Sequence, residues 1–218
     1  MKRRNDIQRL LGVCFLSALL LMGCGGKKST KPEKTAQQLT AEAWTLFESG
    51  EYDNAKSGFE QALTKDVNFA DAYNGRGWSN GFLDLKDEAL SDFQSAIAKG
   101  LDKPDAQVGL AGLYLGKEEF QSAINHSSAA LSADSDYAFS HKPSINYLDL
   151  RLILAQAYYG LGGDYLDSAQ VQVDHLNPAN HLDPANPNTW TVNGQTYGTY
   201  AEALLKEIQR LEQTIGEP

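Results

Sequence analysis

Beyond residue 24 this chain of 218 residues has no cysteine; its two, Cys14 and Cys24, both lie near the N-terminus. The body has no disulfide to form and none to mispair, so close burial of side chains alone must hold it. Positive charge is also short. Nineteen Lys and Arg stand against 28 Asp and Glu, giving a formal charge of −9. The first 23 residues carry four bases (Lys2, Arg3, Arg4, Arg9) and one acid (Asp6), so the rest of the chain stands at −12. Lys27, Lys28, Lys31 and Lys34 against Glu33 take a further +3, leaving −15 on the body. Such a body is a poor match for nucleic acid or for an anionic membrane surface. Catalytic signatures are missing too: there is no H-E-x-x-H, no G-x-S-x-G and no glycine-rich phosphate loop with a lysine. Neither an enzyme nor a cofactor is expected. The apolar run from Leu10 to Met22 is thirteen residues, short of the about 20 that span a hydrocarbon core.

What is present is a period. Ala55, Phe59, Ala62 and Leu63 return 34 residues later as Ala89, Phe93, Ala96 and Ile97. A further 34 reaches Ala123, Ala130 and Leu131, with Ser127 in the phenylalanine slot. A second landmark keeps the same register. Ala43, Gly77 and Ala111 each stand 12 residues before the alanine of their second helix, whereas Ala155 stands 14 before Ala169. The pattern resembles the tetratricopeptide repeat (TPR), a pair of antiparallel helices that cannot bury its apolar face without a neighbour. The resemblance implies an all-α solenoid of about four helix pairs over 36–182, with repeats near 36–69, 70–103, 104–137 and 148–182.

Turn chemistry fits this layout. Gly50, Gly100 and the Gly160–Gly163 region stand where a helix must stop. Pro104 falls where a missing N–H removes no bond. The ten residues from Ala138 to Tyr147, with His141-Lys142-Pro143, are an insertion that reads as a loop. Residues 183–218 depart from the repeat. Asn193-Gly194 between two β-prone runs predicts a hairpin pairing Val192 with Gln195 and Trp190 with Tyr197. Thr199 and Glu202 form a capping box before a final helix, whose stripe of Leu204, Leu205, Ile208, Leu211 and Ile215 suits a cap on the solenoid or a dimerisation surface.

The N-terminus carries a second resemblance. A basic stretch, the short apolar run and Leu21-Met22-Gly23-Cys24 resemble a bacterial lipoprotein signal with its lipobox. That implies a signal peptide over 1–23, a lipid (palmitate among its acyl chains) on Cys24, and a flexible linker over 24–35 that either hangs in solvent or rests on anionic headgroups. Gly25, where aspartate would resemble an inner-membrane retention signal, points to the outer membrane, facing the periplasm.

The TPR resemblance places binding on the inner wall of first helices. Carried over position by position, that wall is Trp44, Phe47, Asp71, Asn74, Trp78, Phe82, Leu115 and Tyr159. It is aromatic, holds an acid and lacks the lysines and arginines of TPR domains that clamp a C-terminal carboxylate. It suits an extended peptide or an amphipathic helix, although each aromatic has the alternative of burial against the next repeat. The expected function is a membrane-anchored scaffold for protein–protein interaction in the cell envelope, with an envelope protein or peptide as partner. The alternative is a glycan-binding lipoprotein stacking sugars on Trp44, Trp78 and Tyr159. Asp174, His175, His181 and Asp183 are a weak metal set, at no standard spacing, and no metal is expected.

Overall fold

The helix pairs follow from a recurring placement of small and large residues. A computed structural model describes residues 32–215. The signal segment, Cys24 and residues 25–31 of the linker lie outside the described residues. The first pair is α1 (Ala36–Glu48) and α2 (Tyr52–Lys65), and the second is α3 (Ala70–Phe82) and α4 (Lys86–Ala98). The third is α5 (Asp105–Gly116) and α6 (Phe120–Ala133), and the fourth is α7 (Tyr147–Leu161) and α8 (Leu166–Leu176). Each helix packs against the next, and first helices also touch across repeats, α1 on α3, α3 on α5 and α5 on α7. First helices thus share one layer and second helices another. This is a TPR solenoid of four helix pairs.

The period-34 residues are the joints. Ala43, Ala55, Phe59, Ala62, Ala89, Phe93, Ala96, Ala111, Ala123 and Ala155 are all buried. Phe59 lies against Gly75, and Phe93 against both Gly77 and Gly109, so closely that a Cβ on Gly75 or Gly109 would overlap the ring. Ser127 is fully buried in the phenylalanine slot of α6, and Phe120 instead supplies the ring that covers Gly160. Gly112, one turn beyond Gly109, has open space where its Cβ would stand. Two neighbouring substitutions should therefore have opposite signs. Gly109→Ala is expected to destabilise by about 1–3 kcal/mol through overpacking. Gly112→Ala should stabilise by about 0.5–1 kcal/mol, because alanine loses less backbone freedom in a helix. Urea midpoints of the two variants check both signs.

Caps and turns place the ends. Thr35 caps α1 with a full capping box. Gly50, Gly100, Gly162 and Gly163 take positive φ at the helix stops. The hairpin consists of β1 (Thr191–Val192) and β2 (Gln195–Thr196), paired Val192 to Gln195 and Thr191 to Thr196. The Tyr197 N–H donates to the Trp190 carbonyl at 2.9 Å, and Asn193 and Gly194 both have positive φ, as a two-residue primed turn requires. The final helix α9 (Tyr200–Ile215) packs on α7 and α8, burying Ala203, Leu204, Ile208 and Leu211. The stripe on α9 thus serves as a cap over the fourth repeat. Its N-terminal box differs by one residue from the expected one: Thr199 Oγ1 accepts from Glu202 N at 3.2 Å, but Glu202 reaches back to the N–H of Gly198.

One buried charge ties the cap down. Glu207 is fully buried on α9, receiving Arg210 through two hydrogen bonds of 2.9 and 2.6 Å and Asn177, just after α8, through one of 2.8 Å. Burial pushes the Glu207 carboxyl up, but Arg210 and Asn177 outweigh it and hold the group below its ordinary value.

Candidate functional site: an aromatic wall and the insertion that covers it

The connection from α6 to α7 runs over 134–146, whereas 66–69 suffices between α2 and α3. Its extra residues build a small structure of their own. Ala138 and Asn146 form an antiparallel bridge. Tyr147 N donates to Tyr137 O at 2.8 Å, and Phe139 N to Ile145 O at 2.9 Å. Lys142 N returns to Phe139 O and Ile145 N to Lys142 O, closing the tip. Along its first arm Tyr137 and Phe139 alternate with Ala138, which puts their two rings on one side, and His141 follows in the turn at the tip with its ring on that same side.

That side meets the inner wall of the first two repeats. Phe139 is fully buried. Its ring stacks on Trp78 at 4.5 Å and meets Trp44 and Phe47 edge to face at 5.9 and 6.1 Å. His141 lies parallel to the Trp44 indole at 3.8 Å, and its Nδ1 is 2.8 Å from Glu48 Oε1. The Lys142 ammonium stands 5.5 Å over the Phe82 ring. At the base, the Tyr137 hydroxyl donates to Asp105 Oδ1 at 3.0 Å, while Asn74 Nδ2 reaches Asp105 Oδ2 at 3.5 Å. Burial pushes the Asp105 carboxyl up, with the Tyr137 hydrogen bond opposing it. Burial pushes the Tyr137 phenol up strongly, helped by the neighbouring Asp105.

The eight wall positions therefore divide. Trp44, Phe47, Asp71, Asn74, Trp78 and Phe82 gather around the insertion. Trp44 and Trp78 are only 4% and 8% exposed, and Phe82 keeps 38%. Asp71 accepts the Trp44 indole N–H at 3.1 Å. Leu115 and Tyr159 belong instead to a second depression of about 360 Å³, shared with Phe120, Gln156, Leu205 and Ile208 and bounded by α9. The structure does not gather Trp44, Trp78 and Tyr159 on one surface, and a face of each indole already carries a ring of the insertion. Between the two regions lies an apolar cleft of about 230 Å³, lined by Trp78, Phe82, Phe93, Leu113 and the glycines 81, 109 and 112. Phe139, His141 and Tyr137 are the contact residues that sequence reasoning missed. Their ring-small-ring alternation was the available signal.

The histidines near the C-terminus do not assemble a centre. His181 Nδ1 lies 2.8 Å from Asp174, and among the described residues no group of three metal-binding side chains occurs.

No protein-family model matches the sequence, and no curated protein matches it. Solved structures do. YrrB, described as a TPR protein with an unusual peptide-binding site, is 20% identical with a TM-score of 0.60, over 82% of this chain and 87% of its own. MamA is 20% identical with a TM-score of 0.52, over 82% and 81%. TTC0263, a thermophilic TPR protein of Thermus thermophilus, is 16% identical with a TM-score of 0.51, over 83% and 90%. At these identities the likeness concerns the fold, and the fold of this chain is that of the TPR proteins.

Proposed function

We propose that this chain is a non-enzymatic interaction scaffold, anchored by a lipid on Cys24 in a bacterial cell envelope, which holds an extended segment of an envelope protein against its inner wall. One observation carries the reading: the wall already receives a length of polypeptide through its side chains, Phe139 and His141 on the first two repeats and Tyr137 on Asp105 of the third, which is the mode of recognition an aromatic groove offers a partner. The peptide-binding site for which YrrB is described is consistent with it. The basic stretch, the thirteen-residue apolar run and Leu21-Met22-Gly23-Cys24 support the anchor, and Gly25 supports the outer membrane facing the periplasm. Residues 25–35 extend at most about 3.5 Å each, so the start of α1 stays within about 40 Å of the membrane and the tether raises the effective concentration of the groove toward neighbours.

Two readouts test this. Metabolic labelling with a fatty acid should mark the chain and be lost in Cys24→Ala; label that persists in that variant rejects the anchor. A photoreactive residue at the half-open Phe82 or at Leu115 should capture the same envelope protein from the anchored chain and much less from Cys24→Ala. Capture at neither position rejects the scaffold.

A further inference from the structure

We propose that the segment from Tyr137 to Asn146 is a resident ligand of the groove over the first two repeats. We infer that the partner taken there is an extended peptide with an aromatic side chain followed, two residues on, by an imidazole or guanidinium, competing with Phe139 and His141. The proposal rests on the scaffold reading and names the chemistry of its partner.

The contact is non-local. Repeats of a solenoid touch their neighbours, yet His141 and Glu48 are 93 residues apart in sequence. It is also made by side chains. The backbone-to-backbone hydrogen bonds of 137–147 close within the segment or run from Asn146 into the first turn of α7, and among the described residues none runs to α1, α2, α3 or α4. Undocking therefore breaks no ladder shared with the wall. It withdraws Phe139 from three rings, His141 from Trp44 and Glu48, Lys142 from Phe82 and Tyr137 from Asp105, and a peptide presenting the same groups can replace them one for one.

The slots define what fits. Phe139 fills an apolar site closed by Trp44, Phe47 and Trp78, which accepts a flat ring. The His141 slot has an indole face on one side, Glu48 at its edge and Asp71 on the other end of the Trp44 indole. A planar cation is favoured there by stacking and by charge, and guanidinium suits it as well as imidazole. The −15 body would steer a basic segment toward it.

A partner from outside must beat a tethered ligand, whose effective concentration is high, and the cleft beside Trp78 supplies the means. It adjoins the Phe139 slot through Trp78 and has room at Gly81 and Gly112, where a Cβ would meet nothing. A partner that seats an aromatic in the Phe139 slot and an apolar side chain in this cleft gains about tenfold or more in affinity from the added burial.

The test uses a fluorescent peptide with the sequence of Asp136–Tyr147 and three forms of the full chain: unaltered, Phe139→Ala with His141→Ala, and one with 138–145 replaced by Gly and Ser. Fluorescence anisotropy should show saturable binding to both altered chains, at least about tenfold tighter than to the unaltered chain. A peptide with Phe139→Ala should lose that binding, and one with His141→Arg should keep it. Three results overturn the proposal: no binding to altered chains whose helical circular dichroism is intact, equal binding to all three forms, or loss of helicity in both altered chains. In the last case the wall cannot stand without the segment, so the segment is a structural part and not an exchangeable occupant. Failure here with envelope capture at Phe82 or Leu115 preserved removes the competing ligand alone, whereas absence of capture at both positions removes the scaffold reading itself.

Discussion

Phe139→Ala should lower the stability of the folded chain by about 3–4 kcal/mol, near the range for emptying a buried aromatic site. Phe139 is a loop residue, and loop residues rarely carry such a cost, but this one has no exposure and touches three aromatic rings. Burial of its ring contributes about 1.5–3 kcal/mol, and each well-placed aromatic pair adds about 0.5–1.5 kcal/mol. The loss has a ceiling, because the insertion can lift away rather than leave a void, its bridge from Ala138 to Asn146 being made within the segment. A shift in the urea midpoint with an altered slope is therefore expected, the slope reporting a less closed native state. A loss below about 0.5 kcal/mol, the range of ordinary surface substitutions, would mean that the ring is not held in the groove.

The second large effect lies at the other end of the solenoid. Arg210→Met should cost about 3 kcal/mol at neutral pH, because it leaves the fully buried Glu207 carboxylate with only the neutral amides of Asn177 and Asn180. The pH dependence supplies the sharper check. In the unaltered chain Glu207 is held below its ordinary value of 4.5, so its stabilising contribution is complete above that value and is lost as pH falls through the depressed folded one. Without Arg210, burial dominates and the folded value rises above the ordinary one. Stability then increases as pH falls toward it, since the native state binds the proton more readily than the unfolded chain. The difference in stability between the two proteins should accordingly shrink from pH 7 to pH 4. Asp105 and Asp149 are also raised by burial, but both proteins share them and the difference cancels their effect. A gap that stays constant with pH would contradict the assignment of the charge to Glu207.

Much of this fold was legible because its determinants are local or periodic. Ala55, Phe59 and Ala62 recur at a fixed interval because each helix pair must seat on the next, and the hairpin register follows from Asn193-Gly194 alone. The final helix showed its apolar stripe, and only contact with α7 and α8 decides that the stripe is a cap. The inner-wall residues were legible as a set of positions, but their state was not. Whether Trp78 is open or covered depends on Phe139, 61 residues away in sequence, and Pro143 and the surrounding polar residues announce a loop without saying where it lies. The capping box shows the same limit at small scale: the spacing of Thr199 and Glu202 predicts a reciprocal pair, yet Glu202 bonds to Gly198, a choice of rotamer that spacing does not specify.

Acrylamide quenching of tryptophan fluorescence reports whether the insertion covers the aromatic wall. In a Trp190→Phe background the emission comes from Trp44 and Trp78 alone. Both should be shielded in the otherwise unaltered chain and become several-fold more quenchable once Phe139→Ala and His141→Ala are added, with helical circular dichroism retained. Equal and high accessibility in the two proteins would contradict this, because the wall would then be open with the insertion in place.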